Sequence, residues 1–166
     1  MNDAHLHLVV NHFPIIGTLF GLGILITGML LKNNSVKNTA YILFIVAAIF
    51  AAFSMGTGEG AEELVEDLPN IGKQIIHEHE EIAEKFAIIM YVTGFLGLLS
   101  LYTSIKNHNL AKIFSFITLA LALLAAVFAK SVGTSGGEIR HTEIRSNSGA
   151  GSSENATDVK NDNEED

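Results

Sequence analysis

The chain has no cysteine. That excludes disulfides, thiolate metal sites, cysteine-ligated iron–sulfur clusters, c-type haem attachment and palmitoylation. Charge is absent from four long stretches, 13–31, 39–57, 86–105 and 113–129, none of which contains Lys, Arg, Asp or Glu. Acid is absent from the two short connections between them, Lys32-Asn33-Asn34-Ser35-Val36-Lys37 and Lys106-Asn107-His108-Asn109-Leu110-Ala111-Lys112, which hold four lysines. Also missing are a basic face that could track phosphates, a Ser beside a His–carboxylate pair, and an H-E-x-x-H zinc motif. Nucleic acid is therefore excluded as a partner, and hydrolytic catalysis has no recognisable machinery.

What is present is apolar on every face. A spanning helix needs roughly 20 apolar residues at ~1.5 Å each to cross ~30 Å of hydrocarbon, and each of the four stretches meets that requirement. A soluble helix would interleave charges to become amphipathic. The sequence therefore predicts an all-α, polytopic four-helix transmembrane bundle over residues 1–145, made of two helical hairpins. From Ser146 onward, Ser, Asn, Gly, Asp and Glu dominate, and 146–166 reads as a disordered acidic tail.

Folding four spans into a bilayer sorts the charge. All 18 acids and six of the seven histidines fall on the side away from the lysine loops. Basic residues in short loops stay cytoplasmic, so the expected location is a bacterial inner membrane with both termini outside, in the periplasm. The leader Met1-Asn2-Asp3-Ala4-His5 carries no positive charge before the first span, which argues against a cleaved signal peptide.

The two hairpins share an order of landmarks. The first opens His5-Leu6-His7, turns at Lys32-Asn33 and exits at Gly56-Thr57-Gly58-Glu59. The second opens His77-Glu78-His79, turns at Lys106-Asn107 and exits at Gly133-Thr134-Ser135-Gly136-Gly137-Glu138. This pattern reads as an internal duplication about an axis along the membrane normal, with both H-x-H openings and both glycine-rich exits at the outer face. It pairs His12 with Glu84. Between the hairpins, Glu59, Glu62, Glu63 and Glu66 have the spacing of a short surface helix ended by Pro69 and Gly72. Gly17, Gly21, Gly94 and Gly97 are small residues suited to close helix packing.

The chemistry-bearing residues gather at that outer mouth. In continuous helix, residues i and i+2 point about 200° apart, so each H-x-H offers one ring to a shared site. His5 and His12 would share one stripe, and His77, Glu81 and Glu84 another. Gly136 and Gly137 would let the chain fold back and bring Glu138 and His141 to the same mouth. His and carboxylate donors without thiols suit a divalent zinc, copper or iron ion. The candidate metal set is His5, His7, His12, His77, His79, Glu84, Glu138 and His141. Two imidazoles on facing helices could instead hold a b-type haem; His12 with His79 or His77 is the expected pair, with Met55 a weaker axial candidate. Histidine and acids at a membrane interface also serve as plain polar anchors, and His108 in the lysine loop fits that role.

At these residues the chain resembles an uncharacterised bacterial family of small four-helix inner-membrane proteins, a domain of unknown function. The shared words are His12-Phe13-Pro14, the glycine-containing exit of the second span, a His at the start of the third, and Gly137-Glu138 with Arg140-His141. The resemblance implies an integral membrane bundle in a family some of whose members sit among respiratory or redox genes. It singles out His12, His79, Glu138 and His141 as motif positions. The functional expectation is an outer-face His/carboxylate site for electron transfer or metal handling. The alternative is an accessory subunit docking a respiratory or periplasmic partner, and a third is a small transporter that would require a homo-oligomer.

Overall fold

The computed structural model describes residues 2–66 and 72–145. The helices are α1 (Asp3–Val10), α2 (His12–Leu30), α3 (Asn34–Glu62), α4 (Lys73–Ile105) and α5 (Ala111–Arg140), followed by one 3-10 turn over Thr142–Ile144. No strand occurs among the described residues. The expected acidic tail and Pro69 lie outside them.

Taking α1 and α2 as one rod, there are four helical units of 28, 29, 33 and 30 residues, each long and apolar enough to cross a membrane. The chain is an all-α, four-helix membrane bundle. α1 and α2 are separated at Asn11 because Pro14 has no N–H to give to the Val10 carbonyl and its ring crowds that turn. α2 packs on α3, α3 on α4, α4 on α5, and α5 closes back on α2, while α1 leans on the outer end of α3.

Size sorts inside from outside. Large apolar side chains point outward: Phe20, Leu30, Phe95 and Val127 are each more than 60% exposed. Small or slender ones make up most of the interior, among them Thr18, Ala47, Ala51, Met90, Thr93, Ala122 and Ala125, packed around the fully buried Leu25, Tyr41 and Phe44. Lipid is as apolar as leucine, so burial of apolar area does not drive these helices together; close approach and interhelical hydrogen bonds do. Gly17 faces the Ala47 side chain, Gly94 faces Ala48, and Gly97 lies against the Tyr41 carbonyl. The glycines act in packing, as their spacing suggests. The Tyr41 hydroxyl lies 2.7 Å from Ser115 Oγ and Ser100 Oγ lies 2.8 Å from Thr118 Oγ1.

The two lysine-bearing turns have the same construction. After α2, Lys32 takes φ 51°, the Asn33 amide donates to the Gly28 carbonyl at 2.9 Å, and the Lys32 amide donates to Met29 at 3.2 Å. After α4, Asn107 takes φ 50°, the His108 amide donates to Thr103 at 2.9 Å, and the Asn107 amide donates to Ser104 at 3.2 Å. Both are Schellman closures that satisfy the last carbonyls of a helix. Asn33 then caps α3, its Oδ1 accepting from Ser35 and Val36.

Two expectations about the outer side are corrected. Glu59 and Glu62 do not belong to a separate surface helix; α3 runs through Gly56, Gly58 and Gly60 to Glu62, and 63–66 is a turn. Nor does the chain reverse at Gly136-Gly137, since α5 continues to Arg140. In both places the glycine gives room to a neighbour: Asp3 packs where a Cβ on Gly60 would sit, and His79 packs against Gly136. The consequence is that α3, α4 and α5 project past their apolar runs as helices, and the histidine-bearing end stands on rigid supports.

Candidate functional site

The site is built from one histidine on α1, one on α4, and the projecting ends of α3 and α5. α1 starts under an Asn2 cap, whose Oδ1 accepts from the His5 amide at 3.0 Å. Helical rotation then leaves His5 exposed and turns His7 inward. His7 Nδ1 lies 3.1 Å from the Ser54 carbonyl oxygen and 3.1 Å from Thr57 Oγ1. A carbonyl accepts only, so Nδ1 carries the proton. Thr57 sends its own proton to the carbonyls of Phe53 and Ser54, which leaves its oxygen to accept from His7.

The second hairpin repeats the arrangement. Gly72 leads into α4, His77 points outward, and His79 points inward. His79 Nδ1 lies 2.9 Å from Ser135 Oγ, and Ser135 donates to the Val132 carbonyl at 3.2 Å. The serine oxygen therefore accepts, and His79 also holds its proton on Nδ1. In each half the imidazole rests beside the glycine that follows its hydroxyl. A Cβ on Gly58 would lie 3.8 Å from His7 Cε1, and one on Gly136 would lie 3.1 Å from His79 Cε1.

His7 and His79 are 72 residues apart in sequence, like the buried contact of Thr18 Oγ1 with Met90 Sδ at 3.1 Å. Their partners, Thr57-Gly58 and Ser135-Gly136, correspond in the same order at the exits. The matching of Thr57 with Thr134 suggested by the sequence is shifted by one residue in space.

Both histidines lie beyond the apolar runs. Burial pushes the His7 imidazole below its ordinary range, against the pull of the Ser54 carbonyl, and the neighbouring His12 lowers it further. Burial likewise lowers His79, with His7 adding to the effect and Glu80 opposing it. The three rings thus form an electrostatic series, His12 beside His7 and His7 beside His79. Nearby, Glu62 on α3 shares a hydrogen bond with Glu80 on α4, and that pairing raises the Glu62 carboxyl above the usual carboxylate range.

The remaining sequence candidates are more scattered. His12 is exposed, with Nδ1 3.1 Å from the Leu8 carbonyl of its own turn. His77 is exposed and pairs with Glu80 at 3.8 Å and Glu81 at 3.5 Å. Glu84 and Met55 are exposed. His141 pairs with the exposed Glu143 at 2.9 Å. Glu138 is half-buried on α5, and its carbonyl accepts from Arg145 Nε at 2.7 Å, which caps that helix. Among the described residues, no three His, Asp or Glu side chains stand close enough to hold a metal ion. Instead, the structure gathers one histidine from each H-x-H, as the helical rotation requires. It also adds residues that the sequence reading overlooked: Ser54, Thr57, Ser135 and Glu80. The signal for two of them was in the sequence, in the hydroxyl–glycine pairs Thr57-Gly58 and Ser135-Gly136.

No family model, curated protein or solved structure matches the chain.

Proposed function

We propose that His7 and His79 are the two axial ligands of a b-type haem at the outer end of the bundle, and that the protein transfers electrons at the membrane surface. The observation that carries this reading is the matched pair of Nδ1 hydrogen bonds. A histidine whose Nδ1 proton is committed to a carbonyl or hydroxyl presents a neutral Nε2 lone pair, and ligating histidines are oriented in this way by their surroundings. Two such imidazoles satisfy a bis-histidine haem, which asks for two protein donors, whereas a divalent ion asks for three or four.

Two features of the site support this reading. Gly58 and Gly136 make room for the Cε1 edges of the two imidazoles, and Thr57, Ser54 and Ser135 fix the ring orientations. Held by His7 and His79, a haem would supply one-electron chemistry. In this reading His7 and His79 bind, the three oxygen acceptors hold the Nδ1 protons, and the acidic rim of Glu62 and Glu80 attracts a positively charged partner.

The membrane orientation belongs to the same proposal. The lysine loops face the cytoplasm of a bacterium, and the His end with both termini faces the periplasm. The test is optical. Purified protein should show the Soret and alpha bands of haem b, and His7→Ala and His79→Ala should each lose them. A colourless protein that purifies with a respiratory or periplasmic partner would favour the accessory-subunit reading.

A further inference from the structure

An open groove of about 820 Å³ runs along one stripe of α5, flanked by Ile82 of α4, and the histidine pair does not fill it. Its lower part is apolar, formed by Leu123, Ala126 and Val127 on α5, while Ile82 on α4, one turn from His79, stands beside the polar end. Leu123 is 49% and Val127 65% exposed, so this part opens to the surrounding lipid. Its upper part is polar, formed by Ser131 and Thr134, with Lys130 and Glu138 as its two charged residues. From Leu123 to Glu138 the groove follows about 22 Å of helix, at ~1.5 Å per residue.

We propose that this groove binds a quinone or quinol, with the ring among Ser131, Thr134 and Glu138 and the isoprenoid tail along Leu123 and Val127. Three observations select this occupant. The polarity is graded along the helix axis, which suits a molecule with a polar ring and a long apolar tail arriving through the bilayer. One cation and one carboxylate line the polar end, so the groove carries no net charge. A neutral ring that offers hydrogen-bonding oxygens suits it, with Lys130 and Glu138 balancing each other. Ser135 belongs both to this groove and to the hydrogen bond of His79, so a bound ring sits one hydroxyl away from the proposed ligand. The volume lies within the ~300–1,000 Å³ of small-molecule sites. As the substrate class of the histidine pair the quinone rests on the electron-transfer reading; as an occupant of the groove it does not.

The experiment is retention of decylubiquinone by the full chain in phosphatidylcholine nanodiscs, quantified by extraction and absorbance. The expected result is saturable binding of one quinone per chain. Ala126→Trp, which fills the groove, should weaken it at least tenfold, and Ile49→Trp on the lipid-facing side of α3 should leave it unchanged. Ser131→Ala combined with Thr134→Val, a small change to the polar end, should weaken it about tenfold without altering the melting temperature. Equal retention by all variants would overturn the proposal, as would displacement of the quinone by one equivalent of phosphatidylglycerol. Haem content is measured on the same samples. Quinone bound to haem-free protein would keep the groove and remove the haem, and haem-loaded protein that takes no quinone would do the reverse.

Discussion

Ser135 sets the orientation of His79 by accepting its Nδ1 proton at 2.9 Å, so its removal should be felt at the cofactor. Ser135→Ala is expected to weaken haem retention by about 10- to 100-fold, the usual cost of losing such a partner. Ser135→Thr should restore most of it, as read by haem titration. Acid should act on the same pair. His7 and His79 titrate below the ordinary histidine range, so as pH falls the unfolded chain takes up protons before the folded one does. Stability is then full above about pH 6.5 and lost as pH drops through the lowered folded values. His79→Gln should flatten that decline in thermal melts, and an unchanged slope would count against it. At this scale the sequence was half legible. The H-x-H words showed that one ring per motif turns inward, and the geometry agrees. It could not show that the inward one in the first motif is His7, with His12 exposed, because Pro14 breaks the helix between them.

The helices extend further than their apolar runs imply. Stretch 58–62 reads as connection because it is charged and glycine-rich, and 73–85 falls outside the apolar run because it is charged. Yet Gly60 receives Asp3 and Gly58 lies beside His7, and these contacts keep α3 helical. Hydrophobic length locates a span well, but it says nothing of a helix continued in water by tertiary contact. Among the glycines, packing is tightest at Gly94, where a Cβ would stand 2.5 Å from that of Ala48. Gly94→Val must separate α3 from α4 and should destabilise the bundle by about 1–3 kcal/mol, the range for overpacking a filled interior. The opposite sign is expected at the first lysine-bearing turn. Lys32 occupies φ 51°, where a side chain costs roughly 1–2 kcal/mol, so Lys32→Gly should raise stability by about 1 kcal/mol in denaturant melts.

Across the whole molecule, two hairpins place matched sites at one end and matched turns at the other. The repeat was visible as scattered short words. The structure gives it content, because Lys32 and Asn107 close their helices identically and His7 and His79 find equivalent partners. Where charge gathers, pH should matter. The shared hydrogen bond with Glu80 raises Glu62, so the contribution of this carboxyl, opposite in sign to that of the histidines, is fullest at low pH and is lost as pH rises through the raised value. Glu62→Gln should remove that decline. Topology has a clean test because the chain contains no cysteine. In intact cells a membrane-impermeant maleimide should label Glu63→Cys and spare Asn109→Cys; the reverse pattern would invert the bundle. The central claim is tested most directly by reduced-minus-oxidised absorption spectra of the detergent-purified chain and four variants. The account predicts Soret and alpha bands in the parent, in His12→Ala and in His77→Ala, and their loss in His7→Ala and His79→Ala. A flat parent spectrum, or bands that survive His7→Ala, would contradict it.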